Sequence, residues 1–211
     1  MKTHTNSTRL SFLCCALLLF VIFLGNAQDR THNGFYLSMQ AGPAFGYANA
    51  NTNVGYGLRV SGSAYAFDLQ IGGAIRENTI LHGNLGIKSM GNPTIEMGGN
   101  AAKTSMDFDE VMIGAGVTQY LKHNFFVTAV VGTGNFSLYD ETENTTVETN
   151  NGFSYQLKAG KEWWISSRWA LGVALEYGGT RTTDTSGTYK EEWQSHRYSV
   201  RFTATRNGRS R

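Results

Sequence analysis

From Arg168 to Thr180 the chain reads RWALGVALEYGGT, and the two-residue period of this run constrains the fold more than any other feature. Trp169, Leu171, Val173, Leu175 and Tyr177 fall on one face of an extended chain, while Ala170, Gly172, Ala174, Glu176 and Gly178 fall on the other. One face is wholly apolar. The other is made of small residues around a single carboxylate. The same alternation returns in YAFDLQIGGAI, where Tyr65, Phe67, Leu69, Ile71 and Ile75 oppose Ala66, Asp68, Gln70, Gly72 and Ala74. Eight such segments can be cut, at residues 35–47, 59–75, 79–90, 106–121, 125–138, 152–165, 168–180 and 193–205. Only FFVTAVVGTGNF (Phe125–Phe136) fits either phase, so its faces stay unassigned.

The connections alternate as regularly as the strands. Ala48–Gly57, Gly91–Ser105, Tyr139–Asn151 and Arg181–Glu192 are long and polar, whereas Arg76–Thr79, Lys122–Asn124 and Ser166–Ser167 are tight. An antiparallel barrel that crosses a membrane sorts its connections in this way, with long loops outside and short turns in the periplasm. A soluble barrel has no reason to.

The faces carry the same message. In a soluble barrel the apolar rows would line the interior and the other rows would meet water. Those other rows read Ala, Gly and Ser, with Asp68, Lys88, Lys158, Glu162, Glu176, Arg197 and Arg201 placed singly among them. Small residues beside long charged ones suit a narrow, side-chain-filled lumen. The apolar rows then face lipid, where a charge costs ~2–4 kcal/mol at midplane. Thirteen residues at about 3.3 Å each, tilted by ~45°, span roughly 30 Å, enough for the apolar band of an outer membrane. Tyr120, Phe125, Trp163, Trp169 and Phe202 lie beside the short turns, as an aromatic girdle would. Lys161, near one of those turns, can snorkel to the interface. A buried Glu176 needs a cation; Lys88, Lys158, Arg197 and Arg201 are candidates, and Arg197 or Arg201 on the following strand is the first choice.

The first residues bound the compartment. Lys2 and Arg9 precede an apolar core from about Leu10 to Leu24, with Gly25 and Ala27 at a spacing suited to a peptidase. Residues 1–28 read as a cleaved secretory signal, because ~15 apolar residues fall short of the ~20 that a spanning helix needs. Cys14 and Cys15, the two cysteines, both lie there, so the exported chain is expected to have neither disulfides nor thiolate metal sites. Removing Lys2 and Arg9 from eighteen basic residues leaves sixteen against sixteen acidic ones. A near-neutral chain is no partner for nucleic acid. The barrel is assigned to residues 29–205 and a short basic tail to residues 206–211.

KEWWISSRWALGVALEYG, with GAGVTQYLKHNFFVTAVVGTG before it, resembles the small outer-membrane β-barrel proteins of the OmpA/OmpX-like group. The resemblance runs from about Phe35 to Thr205. It implies an all-β fold, an eight-stranded antiparallel up-and-down transmembrane β-barrel with a polar, side-chain-filled interior. It also implies an integral place in a bacterial outer membrane, contact with outer-membrane lipids and lipopolysaccharide, and insertion by the barrel-assembly machinery. Two features depart from the group: the chain ends TATRNGRSR after Phe202 instead of on an aromatic residue, and no peptidoglycan-binding domain follows the barrel.

Acyl transfer or hydrolysis needs a nucleophile, a His base and an orienting acid. QSHRYS offers Ser195, His196 and Ser199 with Glu191 and Glu192 nearby, but Ser195 and His196 point to opposite faces of a strand. His82 shares a face with Asn84 and Lys88 and reads as a lumen hydrogen-bonder. Asp107, Asp109 and Glu110 lack the fixed spacing of a cation loop and read as a solvated strand end. No catalytic, cofactor or metal residue is assigned. The expected function is non-enzymatic: a structural or surface-interaction role through the outer loops, toward a partner the sequence does not name. Two alternatives remain, a soluble periplasmic or secreted barrel binding an apolar ligand and a lipid-modifying outer-membrane enzyme.

Overall fold

The computed structural model describes residues 30–140 and 144–208. The expected signal segment, 1–28, and the last three residues of the expected tail lie outside the described residues. Eleven strands follow one another: β1 (Phe35–Thr52), β2 (Gly57–Arg76), β3 (Thr79–Gly91), β4 (Thr94–Met97), β5 (Asn100–Lys103), β6 (Met106–Tyr120), β7 (Phe125–Asp140), β8 (Thr145–Glu148), β9 (Gly152–Trp164), β10 (Trp169–Ser186) and β11 (Tyr189–Asn207). A single 3₁₀ turn, Lys122–Asn124, joins β6 to β7.

Eight long strands (β1, β2, β3, β6, β7, β9, β10 and β11) close a ring, each antiparallel to the strand before it. Closure falls on β1, which pairs with β2 from Phe35↔Gly73 to Asn51↔Gly57 and with β11 from Tyr36↔Asn207 to Thr52↔Glu191. The barrel therefore has no free edge strand. All eight segments read from periodicity are strands, and each lies where the alternation placed it.

The long connections differ from expectation. Most of their residues continue the ladder: β10 and β11 remain paired out to Ser186↔Tyr189, so a two-residue turn replaces most of the expected loop. β4 and β5 form a hairpin that turns at Gly98 and Gly99, with φ of 59° and 83°. Both central residues of such a turn need positive φ, which glycine adopts without strain. β8 folds back on the end of β7. Polar composition concealed these extensions, because strands standing clear of the bilayer need no apolar row. The expected tail also starts later: Arg206 and Asn207 still pair with Leu37 and Tyr36.

The wall is apolar outside and polar inside. Tyr65 is 81 % exposed, Leu175 66 % and Phe202 59 %, whereas Asp68, Gln70, Arg201 and Glu176 are buried. The unassigned strand, β7, turns Phe126, Thr128, Val130 and Phe136 inward and Phe125, Val127 and Val131 outward. Its phase was illegible because it places large apolar side chains on both faces.

Candidate functional site

The lumen is filled in layers. Nearest the long hairpins, Val60, Met90, Phe108, Phe136 and Trp193 pack on a floor of alanines. Phe108 lies 5.5 Å from Phe136 and 5.9 Å from Trp193, ring centre to ring centre. At the short-turn end Tyr36, Ile80, Tyr120 and Phe126 form a second cluster. His32, ahead of the first strand, stacks on Tyr120 at 3.4 Å and lies 5.0 Å from Trp164. Its backbone N–H donates to Asn78 Oδ1 at 2.9 Å. These aromatics close the barrel at both ends.

All seven charged residues singled out from sequence are buried and point inward, and six of them, all but Glu162, form a charge network between the two clusters. Arg201 donates to Glu176 through Nε at 3.1 Å and Nη2 at 2.9 and 3.0 Å, and its Nη2 also reaches Asp68 Oδ2 at 2.7 Å. Lys158 Nζ stands 3.2 Å from Asp68 and 3.5 Å from Glu176, and donates to Gln40 Oε1 at 2.9 Å. Arg197 pairs with Glu110 and brings Nε to 3.8 Å from Glu176. Lys88 Nζ lies 3.7 Å from Glu110.

Register explains half of this arrangement. Lys158 is directly opposite Glu176 on the neighbouring strand, and Lys88 is directly opposite Glu110. Arg197 and Arg201 meet Glu176 diagonally, two residues either side of its register partner Ser199 on the adjacent β11. Other bonds cross the lumen: Arg197 on β11 reaches Glu110 on β6, and Gln156 on β9 donates to Asp68 on β2 at 3.1 Å. Opposite walls are thereby tied together. Glycines make the room. A Cβ on Gly86 would lie 2.6 Å from Asp68 Oδ1 and 2.8 Å from Gln156 Nε2.

Glu162 sits apart from the cations. It accepts hydrogen bonds from Tyr120 Oη at 3.0 Å, Thr205 Oγ1 at 2.6 Å and Thr203 Oγ1 at 3.3 Å. A neutral relay fills the adjoining space. Tyr36 Oη and Gln40 Nε2 each donate to Gln70 Oε1 at 3.2 Å, and Gln70 Nε2 donates to Asn84 Oδ1 at 3.1 Å. His82 Nε2 lies 3.0 Å from Thr118 Oγ1, the lumen role read for it. The void among Lys88, Glu110, Gln156, Arg197 and Arg201 measures about 10 Å³, at the lower limit for holding one water.

Glu110 was missed as a network member. It was grouped with Asp107 and Asp109 as a rim acid, and only the β3–β6 register reveals it facing Lys88. Gln40, Gln70 and Gln156 were also unassigned, although each lies on the inward parity of its strand. The girdle needs one correction. Phe125 and Phe202 face outward and are exposed, and Trp163 and Trp169 are half-buried on the same side, but Tyr120 is buried in the lumen against His32 and Glu162. Tyr120 has the parity of Thr118 and Glu110, so its position beside a turn misled and its phase did not. At the other end of the wall the sequence reading overlooked an aromatic row. Tyr177 lies 6.0 Å from Tyr155, 5.1 Å from Tyr198 and 6.4 Å from His196, and Tyr47 carries Arg59 at 4.1 Å.

Ser195 and His196 do point apart. Ser195 Oγ is buried and donates to Glu110 Oε1 at 3.1 Å, while His196 Nδ1 lies outside, 3.1 Å from Tyr177 Oη. Among the described residues no group of three His, Cys, Asp or Glu side chains is placed to hold a metal ion.

No protein-family model matches the chain, and no curated protein does. Solved structures do. Neisserial surface protein A is 14% identical with a TM-score of 0.56, covering 83% of this chain and 97% of its own. The outer membrane protein OprG from Pseudomonas aeruginosa is 10% identical with a TM-score of 0.52, covering 84% of this chain and 98% of its own. The fold is thus that of the small outer-membrane barrels: all-β, eight-stranded, antiparallel and up-and-down, with a polar, side-chain-filled interior.

Proposed function

We propose that the chain is an integral protein of a bacterial outer membrane that neither conducts nor catalyses, and that acts through the hairpins standing beyond the barrel wall. One observation carries this reading. The lumen is closed by aromatic clusters at both ends and crossed between them by ion pairs, so a solute would have to break the network to pass. An apolar, exposed wall around a polar core supports a lipid surrounding over water, and disfavours a soluble barrel with an apolar ligand inside. Ser195 and His196 point apart, which supports the non-enzymatic reading over a hydrolase built on that pair. In this reading the partners are outer-membrane lipids and lipopolysaccharide around the wall, the barrel-assembly machinery during insertion, and an extracellular molecule at the hairpins. Nucleic acid is not among them.

Two measurements test the proposal. Refolded protein should migrate as a compact band on an unheated detergent gel, shift on boiling, and add no conductance steps to a planar bilayer. Porin-sized steps would refute the closed lumen. A chain that stays in buffer without detergent, with no shift on boiling, would refute the membrane reading. Turnover of phospholipid or lipopolysaccharide by the pure protein, lost in His196→Ala, would refute the non-enzymatic role.

A further inference from the structure

The outer wall is not uniformly studded with large side chains. On β9, Ala159 stands in register between Val127 of β7 and Leu175 of β10, and Lys161 stands between Phe125 and Val173. Large residues on both sides of a small one leave a groove of about 560 Å³ near the short-turn end. That volume is in the range of sites that take apolar ligands, about 300–1,000 Å³. Its wall cannot thicken from within, because a Cβ on Gly160 would meet Phe126 Cζ at 2.7 Å and Val173 O at 2.4 Å.

Lys161 is placed at the groove end closest to the turns. Its Nζ lies 4.9 Å from the Phe125 ring and 5.5 Å from the Trp163 ring, and among the described residues it meets rings and no carboxylate. The same end of the barrel is basic: Arg76, Lys122, Arg168 and Arg206 surround it, with Glu77 as the described acid. An apolar groove open to lipid has to be filled, since an empty one forfeits the contacts of its whole lining. A lone ammonium at its mouth then favours one kind of headgroup over another.

From the groove and its cation we infer a lipid site: an acyl chain of an anionic phospholipid lies along Ala159 between Val127 and Leu175, with its phosphate on Lys161 Nζ. The source is the leaflet at the short-turn end, which is where Lys161 sits. This inference rests on the outer-membrane reading above.

Three tryptophans, Trp163, Trp164 and Trp169, flank this end of the wall, so brominated lipids can report on it by quenching. Protein in vesicles is titrated with dibrominated phosphatidylglycerol or with dibrominated phosphatidylcholine. One unpaired lysine near an anionic headgroup corresponds to about fivefold preference for phosphatidylglycerol. Lys161→Gln should bring that preference close to one, and Ala159→Leu, which fills the groove, should lower it while the compact gel band persists. Arg206→Gln, at the same rim but off the groove, should keep it. Equal quenching by the two lipids in the unaltered protein, or a preference unchanged in Lys161→Gln or lost equally in Arg206→Gln, overturns the site and leaves the membrane reading standing. Quenching by neither lipid overturns both.

Discussion

Replacing Arg201 with Met takes one cation from two carboxylates at once. Arg201 makes three hydrogen bonds of 2.9–3.1 Å to Glu176 and an ion pair of 2.7 Å to Asp68, and all three side chains are almost wholly buried. Removing one partner of a buried pair costs about 3–5 kcal/mol, because the other charge stays behind without compensation. Here the loss should fall near the lower bound, about 3 kcal/mol, since Lys158 still reaches Asp68 at 3.2 Å and Glu176 at 3.5 Å. The double variant Arg201→Met with Glu176→Gln removes a charge of each sign and leaves Asp68 with Lys158. It should therefore be more stable than Arg201→Met alone, by about 1–3 kcal/mol. Urea unfolding in lipid vesicles, followed by tryptophan emission and by loss of the compact gel band, measures both differences. A single variant within ~0.5 kcal/mol of the parent, or a double variant no better than the single, would show that the network does not hold the lumen as argued.

Three further outcomes follow from the same geometry. Gly86→Ala should cost about 1–3 kcal/mol, because its Cβ intrudes on Asp68 and Gln156, whereas Gly83→Ala on the lipid side, with nothing nearer than 3.8 Å, should change stability by less than ~0.5 kcal/mol in the same unfolding assay. Leu175→Arg places a charge on the lipid face and should cost ~2–4 kcal/mol in vesicles if that row lies near midplane; a neutral result would put the apolar wall in water. At the exposed β10–β11 hairpin, the hydrogen bond from Lys190 at 2.7 Å holds the Glu192 carboxyl below its ordinary range. A depressed carboxylate stabilises above its unfolded value and loses that contribution as pH falls through the folded one, so the protection of hairpin amides near Glu192, taken relative to their intrinsic exchange rate, should fall with acid, and should fall less in Lys190→Met, where Arg181 alone still meets Glu192.

Sequence periodicity carried most of the fold because a transmembrane strand has only two solvents to satisfy, lipid and lumen, and residue parity separates them. Asp68, Lys158 and Glu176 could be assigned to the lumen from parity alone, and Arg197 or Arg201 could be named for Glu176 because they lie on the next strand, as the contacts to Glu176 show; the partners of Asp68 and Glu110 could not be named. Which cation meets which acid depends on register and on bonds across the barrel, as between Arg197 and Glu110, that lie 87 positions apart in the chain. Parity fails where both solvents are apolar. Phe126, Val130 and Phe136 line the lumen on β7 while Phe125, Val127 and Val131 face lipid, and the pattern goes silent there. It also fails before the first strand, where His32 plugs the end of the barrel with no periodicity to announce it. Tyr120 was the reverse case, a residue whose parity was correct and whose neighbourhood suggested a girdle.

The two ends of the barrel differ in charge. Cations dominate at the short turns, with Arg76, Lys122, Lys161, Arg168 and Arg206 against Glu77. At the hairpin end the described acids Glu96, Asp107, Asp140, Glu148, Asp184 and Glu191 exceed the bases Arg59, Lys103, Arg181 and Lys190 even before Asp109 and Glu192 are counted. A barrel wall held rigid by buried ion pairs presents these ends at fixed positions, about a membrane's thickness apart, so the opposite charges cannot neutralise one another through solvent at physiological salt, where screening acts over about 8 Å. Each end therefore keeps its own charge, and this asymmetry is what the proposed lipid site at the basic end and the proposed partner-binding role of the hairpins at the acidic end both draw on.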